Sequence, residues 1–319
     1  MFRVVSGYRG GGMISEEVAE IIKAEHLAAG LAEYCEPWDA EMVDLWFHGE
    51  FDDRLFLAAV SDNGKTLGFA WAYLSESCLI VPVPDPRIPA GLGLRVAEAL
   101  TCHALEWLLS KGCRGTLGIH AGYQYGHRHL LLKGMLSSYI ETRSGALMVL
   151  ASEPRGEAPP GYVLREISPH LKRRDLEALV RVRNDAFRDH GWERVEAEDL
   201  EPYYRDLYQR YKVVVLLAED PTSEPAGFIE IYLHANLAGG IAGYISMLAV
   251  THAHRGRGLA KALLTQGYRW LRSRGAATIY LHSVGGVEGF YYRLGFKELR
   301  CTVKLLATSC LPLRCATIV

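Results

Sequence analysis

The two halves of this chain predict the same order of secondary structure on either side of a short linker, and this repetition limits the folds open to it. Residues 152–161 read SEPRGEAPPG, with three prolines, two glycines and no apolar period, as linkers do. Each half predicts helical segments, an apolar hairpin, a third strand, a glycine-rich turn, a long helix, a strand, a short helix and final strands. We therefore predict a duplicated chain of 319 residues, with domains at 1–151 and 162–319.

Turn residues bound the predicted elements in both halves. In the second half, helices are predicted at 172–189, 197–211 and 288–294, with another that starts within 254–260 and runs to 274; strands are predicted at 213–219, 226–234, 243–250 and 277–282. In the first half, strands are predicted at 55–60, 66–74, 78–83 and 114–120, with a glycine-rich turn at 90–94, a helix from there to 111 and a further segment at 129–135. The alternation of strands and helices indicates an α/β fold.

Composition and charge exclude several classes of protein. Hydrophobic residues make up 49% and charged residues 23%, which excludes a disordered chain. The net charge is −2 and the pI about 6.6, far below the ~9 typical of a nucleic-acid-binding domain, so we expect no nucleic-acid partner. No stretch reaches the ~18 apolar residues of a membrane helix, and the glycine-rich start lacks an apolar signal segment. We therefore expect a cytoplasmic protein with no membrane partner.

The cysteines show neither a CxxC pair nor the dense spacing of a disulfide framework. There are seven of them: Cys35, Cys78, Cys102, Cys113, Cys301, Cys310 and Cys315. We expect buried or incidental thiols. Because ligand spacing is also absent, no metal site is predicted.

The stretch that carries chemistry is 244–260, YISMLAVTHAHRGRGLA, an apolar strand followed by a turn that opens a helix. A helix N-terminus presents unpaired N–H groups and the positive end of the helix dipole, so it attracts phosphate. Gly256 and Gly258 allow the backbone to approach a pyrophosphate, and Arg255 and Arg257 add charged donors. No Asp or Glu occurs from 231 to 287, so the local charge is purely positive.

Other phosphate-binding motifs fit less well. GxGxxG does not occur, no acidic ribose anchor lies ~20 residues further on, and no GK[ST] follows the turn. The R-x-x-G-x-A pattern after a strand, followed by a helix and then YYRLGF at 291–296, instead resembles the GNAT N-acetyltransferases. The resemblance covers roughly 162–306. It implies two tandem α/β domains, each a mixed, mostly antiparallel sheet flanked by helices, with a V-shaped split between two parallel strands.

This resemblance also implies a cofactor site for acetyl-CoA. Main-chain groups of Leu248, Ala249 and Val250 would bind the pantetheine arm as an added strand does. The turn would hold the pyrophosphate through Arg255, Gly256, Arg257, Gly258, Leu259 and Ala260. Tyr291 would donate a proton to the departing thiolate. Many family members carry an Asn seven residues before this tyrosine, where this sequence has Val284.

Two residues are candidates for the base that deprotonates the acceptor amine. On the strand at 226–234, the period of two puts Glu230, Tyr232 and His234 on one face. Glu230 and His234 could each act, through water. A half-solvated sheet face explains the same pattern without any catalytic role.

A second group of residues ends the first helix of this half. In tandem GNAT proteins of the mycothiol synthase type, a similar Asn…Phe…His stretch lies beside the acceptor pocket. By that likeness Asn184, Phe187 and His190 would contact the acceptor. An ordinary helix C-terminus, with Gly191 after it, accounts for His190 equally well.

The first half has lost the residues on which this chemistry depends. Ile88 and Ala90 stand where the second half has its two arginines, and Leu130 stands at the tyrosine position. Asp85 adds charge of the wrong sign, and Pro89 removes an N–H donor. We predict a degenerate first domain and an active second domain.

The sequence therefore predicts an acetyl-CoA-dependent N-acetyltransferase that acts on a primary amine of a small molecule. Transfer would be direct, in a ternary complex, without a nucleophilic cysteine or a metal. Two alternatives stay open: acetylation of a protein or peptide N-terminus, and a module that binds acyl-CoA without catalysis.

Overall fold

The computed structural model describes residues 1–6, 13–47, 54–74, 78–113, 117–124, 126–136, 139–190 and 194–307. Their strands are β1 (Phe2–Ser6), β2 (Arg54–Ser61), β3 (Thr66–Tyr73), β4 (Leu79–Pro84), β5 (Gly118–Tyr123), β6 (Tyr139–Leu150), β7 (Val163–Glu166), β8 (Lys212–Glu219), β9 (Pro225–Ala235), β10 (Ile241–Val250), β11 (Thr278–Val284) and β12 (Phe296–Ala307). Their helices are α1 (Met13–Ala28), α2 (Ala40–Phe47), α3 (Ala90–Ser110), α4 (His127–Met135), α5 (Arg173–Ala186), α6 (Ala197–Arg210), α7 (Leu259–Ser273) and α8 (Glu288–Arg293).

The chain divides into two compact units. One consists of Met1–Ala146 together with the residues from Arg300 onward, and the other of Leu147–Leu299. The division falls inside β6 and β12, so β12, the last strand among the described residues, ends in the first unit. The domain boundaries at 1–151 and 162–319 stay a prediction.

In the first unit, antiparallel strands β1 to β4 are followed by a parallel pair, β4 and β5. Residues of β12 then pair antiparallel with β5, for example Leu305 with Ile119. Helix α3 packs on one face of this sheet and α1 and α2 on the other, each over its own buried apolar cluster. This is a mixed, mostly antiparallel sheet between helices, as predicted.

The second unit repeats this plan. Strands β7, β8, β9 and β10 are antiparallel neighbours, and β10 and β11 are parallel. Helix α7 lies against one face, where Gly267 brings its backbone close to Ile229 and Ile231 of β9. Helices α5 and α6 lie on the other face, with Leu179, Val182 and Leu207 buried over the sheet. The sheet therefore presents opposite faces of β9 to different helices.

The expectation for the cysteines is wrong for one pair. Cys78 and Cys113 form a disulfide, with Cα atoms 6.5 Å apart and a sequence separation of 35. The physical reason is the crossover from β4 through α3: the helix runs back along the sheet, so its end lies near the start of β4. Cys35, Cys102 and Cys301 are thiols, whereas Cys310 and Cys315 lie outside the described residues.

Among the described residues, none of the helices combines the length and the apolar character that crossing a bilayer requires.

Candidate active site

The two parallel strands of the second unit pair over only three residues. Ala242, Gly243 and Tyr244 of β10 face 278, 279 and 280 of β11, and the register ends there although β10 continues to Val250. Beyond Tyr244 the strands diverge. The result is a V-shaped split whose apex lies at the pair formed by Tyr244 and Tyr280.

Main-chain groups of β10 point into this split at alternate residues. The N–H of Thr251 donates to Ala226 O at 3.0 Å, so this residue bonds toward β9. The main-chain carbonyl of Ala249 also points toward β9, because a Cβ on Gly227 of β9 would lie 2.8 Å from Ala249 O. By the alternation of a strand, the main-chain groups of Leu248 and Val250 face the split. Of the three residues predicted to bind the pantetheine arm, these two present main-chain groups there.

A β-bulge interrupts β10 just past the apex. The register moves from Ile245 opposite Ile231 to Met247 opposite Glu230, which leaves Ser246 as an extra residue. The Ser246 hydroxyl donates to the Glu230 carboxylate and, at 3.3 Å, lies within reach of Glu230 O. The bulge thus aims a hydroxyl at a candidate base, as bulges beside active sites do.

The turn after β10 has the backbone that the phosphate hypothesis requires. Gly256 and Gly258 have φ of +76° and +84°, and a Cβ on either would meet nothing within 4 Å. Glycine is therefore needed for backbone conformation and not for lack of space. Gly258 caps α7 without any side-chain hydrogen bond, so the first N–H groups of the helix, from Leu259 and Ala260 onward, have no side-chain acceptor.

The two arginines of the turn bond to the protein itself. Arg255 donates through Nη2 to Ala186 O at 2.7 Å and through Nε to Val250 O at 3.3 Å. Arg257 donates through Nη1 to the Tyr162 hydroxyl at 3.1 Å. Both residues are exposed, and a guanidinium has five N–H donors, so each can hold the turn and also face an anion.

A histidine at the start of this turn forms hydrogen bonds with two aspartates at or just beyond the end of α5. The N–H of His252 donates to Asp185 Oδ2 at 2.6 Å, and its ring lies 3.1 Å from that atom and 2.5 Å from Asp189 Oδ2. Burial acts to raise the pKa of Asp185, but the hydrogen bonds from His252 outweigh it and leave the pKa lowered. No sequence pattern predicts this clasp of His252 on the two aspartates, because its members lie 63 and 67 residues apart.

Tyr291 lies on α8, half-buried, with its ring edge-on to Phe290 at 5.1 Å and to Phe296 at 5.7 Å. Burial raises the pKa of Tyr291 to about 12. The phenol is therefore protonated at neutral pH, the state that a proton donor needs. Its phenol also contributes electrostatically to the raised pKa of Tyr244, at the apex of the split.

Glu230 has no exposed surface at all. Its Oε1 accepts hydrogen bonds from the hydroxyls of Tyr203, at 2.5 Å, and Ser246. Its Oε2 has no partner with hydrogen-bond geometry among the described residues, although the nearby Tyr204 hydroxyl favours the ionised form. Burial raises the pKa of Glu230, and the hydroxyls only partly oppose that rise. A carboxyl with a raised pKa and a vacant oxygen is suited to accept a proton.

His234 is 6% exposed, and both ring nitrogens are engaged. Nδ1 lies 2.6 Å from Ala235 O, which can only accept, so Nδ1 carries the proton. Nε2 then accepts from the Tyr280 hydroxyl at 2.8 Å. Burial lowers the pKa of His234, so its ring is neutral at pH 7. The accepting nitrogen of His234 is thus occupied by the Tyr280 hydroxyl, and action of either base through water stays a prediction.

The acceptor residues predicted near the end of α5 have structural partners. Asn184 bonds to the backbone of Val195 in both directions, at 2.8 and 3.1 Å, and so ties α5 to the start of α6. Phe187 packs against the core under α5 and α6. His190 ends a short 3-10 helix, so the predicted helix to 189 stops earlier, at Ala186. Gly191, its predicted cap, lies outside the described residues.

The corresponding region of the first unit lacks these features. Like the parallel strands of the second unit, β4 and β5 pair over a short stretch, here two residues, and then diverge. Unlike β10, β4 pairs with its antiparallel neighbour without a bulge. Asp85 is fully buried and accepts two hydrogen bonds from the side chain of Arg87. Helix α3 begins after Pro89, and Leu130 is an exposed residue of α4. At the compared positions, which the structure describes, the first unit has neither a tyrosine that could donate a proton nor a pair of arginines that could face a phosphate.

No group of three His, Cys, Asp or Glu side chains in the described part of the chain could hold a metal ion.

Comparison with known proteins agrees with this geometry. Residues 176–296 match the model of the acetyltransferase (GNAT) family. A mycothiol acetyltransferase from Stackebrandtia nassauensis is 31% identical over 131 residues, which are 40% of this chain and 40% of that protein. The match therefore spans about two fifths of the length of that curated relative.

Two solved structures share the fold over nearly the whole chain. A GCN5-related N-acetyltransferase from Sphaerobacter thermophilus aligns with a TM-score of 0.66 and 19% identity, over 96% of this chain and 95% of that one. A tandem GNAT protein from the clavulanic acid biosynthesis pathway aligns with a TM-score of 0.70 and 16% identity, over 96% and 98%. The chain thus has the mixed α/β fold of these two proteins, one of which is a tandem GNAT protein.

Proposed function

Because residues 176–296 form a domain of the GNAT acetyltransferase family, we propose that this unit binds acetyl-CoA and transfers the acetyl group to a primary amine of a small molecule. The proposal depends above all on the split between β10 and β11. One wall of this split offers the main-chain groups of Leu248 and Val250. The turn after β10 leads into α7, whose first N–H groups have no side-chain acceptor. An extended amide chain suits the strand edge, and a diphosphate suits the helix N-terminus.

The acceptor amine must lose a proton for transfer to occur. An amine of pKa ~10.4 is neutral in about one molecule in 2,500 at pH 7, a cost of about 4.6 kcal/mol that a base removes. Glu230 is the base in this proposal, since its Oε2 lacks a partner and burial raises its pKa. His234, acting through the Tyr280 hydroxyl, is the second candidate.

The remaining steps use groups at the split. The amine attacks the thioester carbonyl directly, and the N–H of Leu248 stabilises the negative charge that develops on the carbonyl oxygen. The C–S bond breaks, Tyr291 donates its phenolic proton to the thiolate, and the second proton lost by the amine nitrogen restores the phenol through solvent. No cysteine is needed, because the acetyl group passes straight to nitrogen. The arginines of the turn and its glycines hold the diphosphate.

Contact of Asn184, Phe187 and His190 with the acceptor stays a prediction. The bonds of Asn184 to Val195 fix the segment that leads into α6, and α6 supplies Tyr203 to Glu230. A small-molecule acceptor is favoured over a peptide N-terminus because the one curated relative above is, by its name, a mycothiol acetyltransferase.

Release of free thiol from acetyl-CoA tests this function directly. We expect the full-length protein to release thiol only when an amine from a panel of amines and peptides is present. Thiol release with peptides alone would favour N-terminal acetylation instead. If coenzyme A binds but no acceptor releases thiol, the protein is an acyl-CoA-binding module and the proposal is wrong.

A further inference from the structure

Four tyrosines form a continuous aromatic surface on the face of the second unit that carries Glu230. We define the tyrosine floor as Tyr211, Tyr232, Tyr244 and Tyr280. Ring centroids are 4.5 Å apart from Tyr211 to Tyr232, 5.2 Å from there to Tyr244, and 4.9 Å from Tyr244 to Tyr280. Tyr211, Tyr232 and Tyr244 keep part of their surface exposed. The floor therefore offers aromatic surface at the apex of the split.

The end of one helix and three strands contribute to this surface. Tyr211 follows α6, Tyr232 lies on β9, and the other two are the last paired residues of β10 and β11. Apolar residues at these positions would have buried the face equally well. Tyrosine rings differ from aliphatic side chains in carrying negative charge on their faces, which attracts cations.

The carboxyl beside the floor lacks a positive partner. Glu230 is fully buried, and each group that donates to it or favours its charge is a hydroxyl, from Tyr203, Tyr204 or Ser246. No described Lys, Arg or His forms an ion pair with it. A buried carboxylate without a cation is costly, and its Oε2 has no hydrogen-bond partner in the described residues. Such a site is completed by a ligand that brings a positive charge.

None of the described Lys, Arg or His side chains on the elements around the floor acts on the Glu230 carboxyl. His234 is neutral because burial lowers its pKa, and its Nε2 is occupied by Tyr280. His282 is exposed and packs its ring on Tyr244 and Tyr280. Arg183 of α5 interacts electrostatically with Tyr204, but it forms no ion pair with Glu230.

We propose that the acceptor is a cationic amine with a flat apolar carrier and without a carboxylate or phosphate next to the reacting nitrogen. This inference rests on the proposed acetyltransferase function. The ammonium lies between the tyrosine floor and Glu230 Oε2, and the carrier lies on the aromatic rings. The ammonium then gives its proton to Glu230, which leaves a neutral amine and a neutral carboxylic acid.

A matched pair of acceptors tests this inference. Tyramine and L-tyrosine share the ring and the primary amine and differ by one carboxylate, which would lie against Glu230. Like charges at short range in a buried site oppose binding, so we expect kcat/KM for tyramine to exceed that for L-tyrosine at least about tenfold. Equal values, or a preference for L-tyrosine, would overturn the inference while leaving acetyl transfer established.

Variants of the tyrosine floor distinguish a contribution of the aromatic ring faces to acceptor binding from a contribution of packing alone. We expect Tyr232→Leu to raise KM for tyramine about tenfold and Tyr232→Phe to change it little, because the ring is kept. Tyr268→Leu, on a half-buried tyrosine of α7 outside the floor, is the control and should not alter KM. A Tyr232→Phe protein as impaired as Tyr232→Leu would contradict a role for the ring face.

Binding measurements cover the case in which neither amine is acetylated. Calorimetry on the protein saturated with coenzyme A should then show heat for tyramine and none for L-tyrosine at equal concentration. Absence of binding by tyramine overturns the inference. Coenzyme A binding, and thiol release with other amines, report separately on the proposed function.

Discussion

Replacing Tyr291 by Phe is expected to lower kcat by about 10²- to 10⁴-fold, the usual contribution of a general acid, with coenzyme A affinity unchanged. The substitution removes one hydroxyl and keeps the ring that packs on Phe290 and Phe296. Burial raises the pKa of Tyr291 to about 12, so this phenol does not ionise below pH ~10. The wild type and Tyr291→Phe should therefore show the same shape of pH profile up to that pH. Steady-state kinetics across pH, with calorimetry for coenzyme A, measure both effects.

The neighbouring residue offers a matched control. Tyr292 on the same helix is 48% exposed, and its hydroxyl donates to Glu298 at 2.9 Å. Tyr292→Phe should therefore leave kcat unchanged. If Tyr291→Phe keeps full activity, the phenol is not the proton donor. If it instead loses coenzyme A binding, its role is structural.

Replacing Glu230 by Gln is expected to lower kcat by a similar factor, about 10²- to 10⁴-fold, and to abolish the acid limb of the pH profile. The base must be ionised, and burial raises its pKa, so activity should fall with decreasing pH at values above those of an ordinary glutamate, ~4.3. Gln is close to Glu in shape, so the buried site keeps its packing. The pH dependence of kcat measures the effect.

Two further variants assign this limb to a residue. The Tyr203 hydroxyl lowers the pKa of Glu230, so Tyr203→Phe should move the limb to higher pH. Burial lowers the pKa of His234 and raises that of Glu230, so the two pKa values shift in opposite directions and the position of the limb alone does not identify the base. If His234→Gln abolishes the limb and Glu230→Gln keeps it, His234 is the base.

The strand, turn and helix around Gly258 could be predicted from the sequence because their signals are local. The apolar run to Val250 and the glycines agree with β10 and α7, and the period of two correctly puts Glu230, Tyr232 and His234 on one face. Helix α7 begins at Leu259, within the predicted range.

Features that depend on distant parts of the chain escaped prediction. The sequence around Ser246 reads as a continuous apolar strand, and only its pairing with β9 makes a bulge there. Three contacts likewise join residues far apart in sequence: the hydrogen bonds of His252 with Asp185, the bond from Tyr203 to Glu230, and the disulfide at Cys78. The return of β12 to the first unit is likewise a long-range pairing that no local period encodes.

Titration of coenzyme A into three proteins by calorimetry tests the phosphate site most directly. Gly258 and Gly239 both have positive φ, +84° and +83°, with open space around them, so alanine costs each a similar ~1–2 kcal/mol of stability. Only Gly258 lies at the helix that would meet the diphosphate. We expect one site in the wild type, binding at least about tenfold weaker in Gly258→Ala, and wild-type affinity in Gly239→Ala. No heat with the wild type, or equal affinities in the two variants, would contradict a diphosphate at this turn.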